Sequence, residues 1–257
     1  ELHDRNAMSC ASIEKKMGIK GSSTCVINYD GARGWLVGAP NKGLRAMFAM
    51  MNHERLMVGQ QGLSQAEVAY QSAADYARDR LQGRSLSGAK AVDKNADPII
   101  VHPDVRRMLL GARAHNEAAR ALLGWTAMQI DIADRHPDPA AREEAEDFTA
   151  LLTPVIKAYF TDYGFDACNA CMQVFGGHGY IAEWGMEQLV RDARIAQIYE
   201  GANGIHALDL VGRKLPLHDG RLINRFVALL EGFIAEHEAD QRMAEFTVPL
   251  HKSLTLL

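Results

Sequence analysis

The sequence predicts a mainly α protein: an antiparallel helical bundle preceded by a few strands. Three observations carry this. From Leu44 on, apolar residues recur at spacings of three and four through very long stretches, the period of a helix face. The links between those stretches are short and polar, as antiparallel neighbours require. Residues 1–44 differ: β-prone runs at Thr24–Tyr29 and Trp35–Val37 are broken by Asp30-Gly31, Gly34 and Pro40-Asn41-Lys42-Gly43, which is strand and turn chemistry. Two or three strands without partners make no stable sheet. Either they lean on the rest of the chain or the remainder of their sheet is missing; the second reading is preferred, with residues 1–44 as the tail of a larger β-domain and 45–257 as the bundle. The chain also lacks an initiating Met and is read as starting inside a longer protein.

The elements follow in order. "LRAMFAMMNHERLMVGQQGLSQAEVAYQSAADYARDRL" predicts one long helix, which Gly59 and Gly62 loosen without stopping. "SLSGAKAVDKNADPII" is a polar loop. His102-Pro103-Asp104 opens the second helix, with proline at an early position where its missing N–H costs nothing. "HPDPAAREEAEDF" is a turn and an acidic helix start, favourable at the positive end of the helix dipole. In the third helix, Pro154 predicts a kink or a restart. A glycine-rich junction at 176–179 precedes a helix at about 185–197, a break at Glu200–Gly204, a helix at about 205–213, and a last amphipathic helix from about 218.

Composition narrows the function classes. The 257 residues are 47% hydrophobic with a net charge of −4 and no long basic run, which argues against a nucleic-acid surface. No apolar stretch reaches the roughly 18–20 residues that span a bilayer. Four cysteines are too few for a disulfide framework in a chain this long and suit a reducing compartment. Cys168 and Cys171 form C-x-x-C with no second pair or nearby His. They read as buried helix thiols, and no metal site is assigned.

One acidic residue stands out. In "QIYEGANGI", residues 197–205, Glu200 lies where one helix stops and another starts. There a carboxylate projects from a rigid base while small neighbours leave room for a ligand. Desolvation by Ile198 and Tyr199 would make it a better base. The alternative is an acidic cap on the next helix.

The stretch "QVFGGHGYIAEWGMEQLVRDARIAQIYEGANGIHALDLVGRKL", residues 173–214, resembles the C-terminal signature of acyl-CoA dehydrogenases, nearest to the larger bacterial type. The likeness extends back in order through "IIVHPDVRRMLLGARAHNEAARAL", "YARDRLQGR", "MNHERLMVGQQGL" and "MGIKGSSTCVINYDGARGWLVG". The resemblance implies a flavin enzyme of the fatty acid β-oxidation kind. Glu200 then removes the α-proton of an acyl-CoA thioester while the β-hydrogen leaves as hydride to FAD. It also implies that Arg80 reaches the FAD pyrophosphate across a subunit interface, that Gln82 is a polar cofactor contact, and that Gln173, Gly176 and Gly177 lie against the cofactor. Ala202 and Gly204 fall at further cofactor positions. Ala202 replaces the family's usual Thr, so a hydroxyl contact is lost, and Gly83 replaces a common aromatic. Asn52 and Arg55 match positions on the thioester side of the substrate pocket, and Tyr199 and Gly201 flank the base. Without the resemblance, Arg80 would read as a surface helix arginine, Asn52 and Arg55 as a solvated face, and "GGHG" as a loop.

The family likeness further implies a homodimer or homotetramer, an electron-transfer flavoprotein as acceptor, and a bacterial cytoplasmic setting. With the helical N-terminal domain and most of the β-domain beyond this chain, Glu200 is expected to face water and the chain alone to be inactive. Two rivals stay open: a flavin oxidase or monooxygenase on the same fold, and a non-catalytic helical oligomerisation or binding module.

Overall fold

The structure, a computed structural model, describes residues 5–256 apart from the side chains of Ala49 and Asn52. It is mainly helical, as the sequence predicts. Strands β1 (Met8–Ile13) and β2 (Cys25–Tyr29) pair antiparallel, with Met8 opposite Tyr29, Ile13 opposite Cys25, and a bulge between Cys10 and Ser12. Every residue of both strands is exposed. Trp35–Val37 does not form the expected strand. It is an exposed, irregular segment with no partner strand among the described residues, so its backbone groups are left to water.

Helices α1 (Gly43–Asp79), α2 (Pro103–Arg135) and α3 (Pro139–Val174) dominate the chain. Shorter helices follow: α4 (Met186–Arg194), α5 (Asn203–Asp209), α6 (Arg221–Glu236) and α7 (Ala244–Leu254). α3 continues through Pro154 without the restart that the proline allowed for. Thr153 beside it donates its hydroxyl to the Thr149 carbonyl at 2.7 Å, and burial on both sides of the proline outweighs the one backbone hydrogen bond it removes. At the start of α3, Asp138 accepts the Ala140 N–H at 3.0 Å, a side-chain cap just ahead of a first-turn proline. α7 was not anticipated: the amphipathic pattern fades after Glu236, and Pro249 lies inside the last helix.

The chain forms two compact units. One holds the residues up to Ala119 together with Tyr159–Glu200; the other holds Arg120–Ala158 and the chain from Gly201 onward. In the first unit, α1 presents Ala66, Ala69, Ala73 and Ala77, each at most 2% exposed, to Leu109 and Ala112 of α2, Cys168, Cys171 and Val174 of α3, and Met186 and Ala193 of α4. A stripe of alanines lets helix backbones approach closely. Glycine takes this further where α1 meets α3: a Cβ on Gly164 would sit 2.5 Å from the Gly62 carbonyl oxygen, and one on Gly62 would sit 2.5 Å from that of Phe160. The Cys168 and Cys171 thiols are fully buried, and burial pushes both up to about 12. They are core hydrophobes in their packing and weak nucleophiles in their chemistry, as the sequence suggests.

The loop between α1 and α2 is ordered by a single carboxylate. Asp97 is fully buried and accepts the backbone N–H groups of Ser85, Lys90 and Ala91 at 2.7–2.9 Å, with the Arg84 guanidinium at 3.1 Å. These bonds hold its carboxyl well below the usual carboxylate range, the Ala91 and Ser85 amides contributing most. In the second unit, Arg221 and Arg225 of α6 grip Glu143 and Asp147 of α3. Arg221 holds Asp147 through Nε at 2.7 Å and Nη2 at 2.9 Å, and each arginine reaches Glu143 at 2.9 Å. The Arg225 hydrogen bond and the Arg221 charge depress the Glu143 carboxyl.

The sign of the pH dependence follows. A carboxyl with a lower pKa folded than unfolded contributes stability above its unfolded value, about 4. That contribution disappears as pH falls through the folded value. Thermal melts are expected to hold a plateau near neutrality and to drop below about pH 4. Asp97→Asn and Glu143→Gln should each lower the plateau and flatten the acid slope. Unchanged melting curves across pH 3–7 in both variants would remove these two carboxylates from the account.

Candidate active site

The candidate base sits in a tight turn. After α4, the chain makes a single 3-10 turn over Ile195–Gln197 and then breaks, until α5 starts at Asn203. Glu200 and Gly201 take consecutive left-handed conformations, φ 56° and 93°. For glycine this is free. For a glutamate it costs of order 1–3 kcal/mol and persists only where neighbours over-determine it. A Cβ at 201 would also come within 3.0 Å of His206 Nε2, a tight contact that the imidazole would have to yield to. The turn folds the glutamate inward. Glu200 is half-buried and its Oε2 is shielded from solvent, which corrects the expectation of a water-exposed carboxylate.

Both neighbours of Glu200 are tethered. Tyr199, half-buried, donates its hydroxyl to Gln61 of α1. Burial pushes its phenol up, and the charges of Glu200 and of Glu54 on α1 add to this. The stretch of α1 from Glu54 to Gln61 therefore faces Tyr199. Arg55, in the same stretch, is half-buried and lies over the Phe48 ring at 5.7 Å. The Asn52 side chain lies outside the described residues. On the other flank, the fully buried Lys157 of α3 donates to the Gly201 carbonyl at 2.6 Å and to Asn203 Oδ1 at 2.8 Å. Asn203 in turn donates to the Ala158 carbonyl at 3.2 Å. Ala202 is the residue before α5 and offers no side-chain cap; its carbonyl accepts the Ile205 N–H at 2.8 Å. A threonine here could have capped α5. Gly204 is exposed in the first turn of α5, with open space where a Cβ would be.

The second group of site residues gathers at the far end of α1. Arg80 ends that helix, exposed and without an ion pair among the described residues. Gln82, also exposed, is fixed through its backbone: its N–H donates to the Asp97 carbonyl at 2.9 Å, and its carbonyl meets His102 Nε2 at 2.8 Å. Gln173, Gly176 and Gly177 are exposed at the end of α3, with nothing within 4 Å of a Cβ built on either glycine. An aromatic cluster locks the two ends together. Tyr76, one turn before Arg80, stacks on Phe175 at 4.1 Å and hydrogen-bonds His178 Nδ1 at 3.0 Å. Trp184 stacks on His178 at 4.6 Å. The guanidinium of Arg80 and the bare backbone at 176–177 thus belong to one framework.

Sequence reasoning did not find Gln61, Lys157 or this aromatic cluster. A lysine in the apolar run "PVIKAYF" is the one signal that could have exposed Lys157, since an unpaired buried ammonium is not tolerated. Gln61 and Tyr76 carry no comparable mark.

The chain thus combines long helices, a half-buried carboxylate in a glycine turn, and exposed glycines at the end of α3, with Arg80 exposed and without an ion pair among the described residues. The model of the acyl-CoA dehydrogenase C-terminal domain matches residues 41–215, and the chain belongs to that family. It is 44% identical over 253 residues to a 3-methylmercaptopropionyl-CoA dehydrogenase of Ruegeria pomeroyi, covering 95% of this chain and 42% of that protein. A butyryl-CoA dehydrogenase of Syntrophomonas wolfei is 36% identical over 251 residues, covering 95% and 41%. The chain thus spans about two-fifths of the length of these relatives. Among solved structures, butyryl-CoA dehydrogenase from Megasphaera elsdenii superposes with a TM-score of 0.67 at 25% identity, over 81% of this chain and 49% of that one. Caenorhabditis elegans ACDH-11 in complex with C11-CoA superposes at 0.84 over 98% and 40%, and at 19% identity that likeness concerns the fold alone. Among the described residues, no helix is long and apolar enough to cross a membrane, and no group of three or more His, Cys, Asp or Glu could hold a metal ion.

Proposed function

We propose that this chain supplies the base-bearing helical domain of an FAD-dependent acyl-CoA dehydrogenase, with Glu200 as the base that removes the α-proton of an acyl-CoA thioester. The observation that carries this reading is the backbone of Glu200. A non-glycine residue kept left-handed, half-buried and flanked by two tethered neighbours is held at a cost that a helix cap would not need. Strain of this kind concentrates at functional sites.

The donor set fits the family's cofactor. Arg80 is an exposed guanidinium without an ion pair among the described residues, suited to a pyrophosphate. Gln82 and Gln173 offer amides, and Gly176 and Gly177 leave backbone open to a flat group. Once bound, FAD would accept the hydride. The protein's own part is positional: Glu200 takes the proton, Tyr199 and Gly201 flank it, and Asn52 and Arg55 meet the thioester side. Fixed orientation of a base against a weak carbon acid supplies a large part of such a rate enhancement. Ala202 leaves the cofactor one hydroxyl contact short. Electron-transfer flavoprotein as acceptor and a dimeric or tetrameric assembly belong to the same proposal.

The complete reaction is assigned to the full-length protein, and this chain alone is expected to show no acyl-CoA turnover. The deciding measurement is visible absorbance after mixing with excess FAD and desalting. In the full-length protein, a flavin band that bleaches with acyl-CoA under anaerobic conditions is expected. A full-length protein that stays colourless, or whose flavin never bleaches with any acyl-CoA, would sink the proposal.

A further inference from the structure

We propose that Lys157 is a positioning residue for the base: its ammonium clamps the Gly201–Asn203 segment and thereby fixes where the Glu200 carboxylate points. The inference rests on the reading of Glu200 as the base. Lys157 is fully buried in α3. A buried ammonium costs several kcal/mol unless its protons are satisfied, so a lysine here needs built acceptors. Two of those acceptors are the Gly201 carbonyl at 2.6 Å and Asn203 Oδ1 at 2.8 Å, both within three residues of Glu200. Asn203 is itself oriented by its bond to the Ala158 carbonyl, next to Lys157 in the chain. The lysine, the asparagine and the carbonyl thus make a closed arrangement on the turn.

That turn cannot hold its shape unaided. Two consecutive left-handed residues form no helix or strand ladder, and Ala202 gives α5 no side-chain cap. A methionine of similar volume at 157 would fill the same space yet leave the Gly201 carbonyl and the Asn203 amide without this donor. The turn would then sample other geometries, and the carboxylate would move with it. Misplacement by about 1 Å can cost ~100-fold in rate.

The test compares Lys157→Met, Asn203→Ala and Glu200→Gln in the full-length flavin-loaded enzyme. Lys157→Met is expected to keep its fold, flavin content and KM, to lose roughly 100-fold in the rate of flavin reduction, and to show faster amide hydrogen exchange at residues 203–206. Asn203→Ala removes one acceptor without opening the core, and a smaller loss with the same kcat-only signature is expected. It decides the matter if Lys157→Met does not fold. Wild-type reduction rates in Lys157→Met or unchanged exchange at 203–206 would overturn the clamp, as would a loss confined to KM. Full turnover in Glu200→Gln would instead overturn the base assignment beneath it, so the two failures are distinguishable.

Discussion

Glu200→Gln in the full-length protein is expected to retain flavin and lose turnover by roughly 10²–10⁴-fold, the range a positioned general base supplies. The change is close to isosteric. The amide keeps the volume and the hydrogen-bonding reach of the carboxylate but cannot accept a proton at neutral pH. Folding should barely respond, since the substitution leaves the left-handed backbone at residue 200 as it was. The informative companion is Glu200→Gly. Glycine adopts that conformation freely, so this variant should be at least as stable as the parent, by up to about 1–2 kcal/mol, while being equally inactive. Stability and activity moving in opposite directions would identify residue 200 as a place where the fold bears strain for function. A Gln variant that still bleaches flavin at the parental rate with acyl-CoA would strip Glu200 of the base role.

Gly164→Ala should be the most damaging small substitution in the first unit. The added methyl would meet the Gly62 carbonyl oxygen at 2.5 Å and its carbonyl carbon at 2.8 Å. Both are backbone atoms of another helix and cannot rotate away, so α1 and α3 must separate, and the alanine stripe beside them loses contact. Overpacking of this kind costs about 1–3 kcal/mol, and in a chain of this size each kcal/mol lowers Tm by about 2–4 °C. Gly62→Ala should behave alike, its methyl reaching the Phe160 carbonyl at 2.5 Å. Gly124→Ala provides the control: it lies in α2, exposed, with nothing within 4 Å of a Cβ. Removing an unneeded glycine there should stabilise by about 0.5–1 kcal/mol. If thermal melts showed Gly164→Ala as harmless as Gly124→Ala, the close crossing of α1 and α3 would be wrong.

The long helices were legible because each repeats its apolar spacing over many turns, and α1 starts at Gly43 against an expected Leu44. Signals that depend on a single residue were less dependable. Pro154 reads as a kink or a restart, yet α3 does not restart there, because a local penalty of about 3 kcal/mol is small beside the packing of a 36-residue helix. Trp35–Val37 reads as a strand, yet a strand exists only through a neighbour, and a composition cannot report a neighbour. β1 escaped notice for the converse reason: "MSCASI" is weakly β-prone, and its pairing with β2 makes it a strand. At the site, the turn, the glutamate and the glycines could be read along the chain. Lys157 could not be linked to Gly201, nor Gln61 to Tyr199, because those pairs are separated by 44 and 138 positions and only folding brings them together.

The stack of Trp184 on His178 makes the protein its own optical reporter. The chain has three tryptophans in three settings. Trp35 is 83% exposed and should emit as a solvated indole; Trp125 meets Phe148 edge-on at 5.2 Å; Trp184 lies parallel to an imidazole at 4.6 Å. The third belongs to the framework that carries Gly176 and Gly177. A flat, light-absorbing molecule settling on those glycines would quench Trp184, and the red-shifted emission of exposed Trp35 supplies a second band for comparison. Occupancy of this surface could then be followed by the ratio of two emission bands, with no label and no turnover.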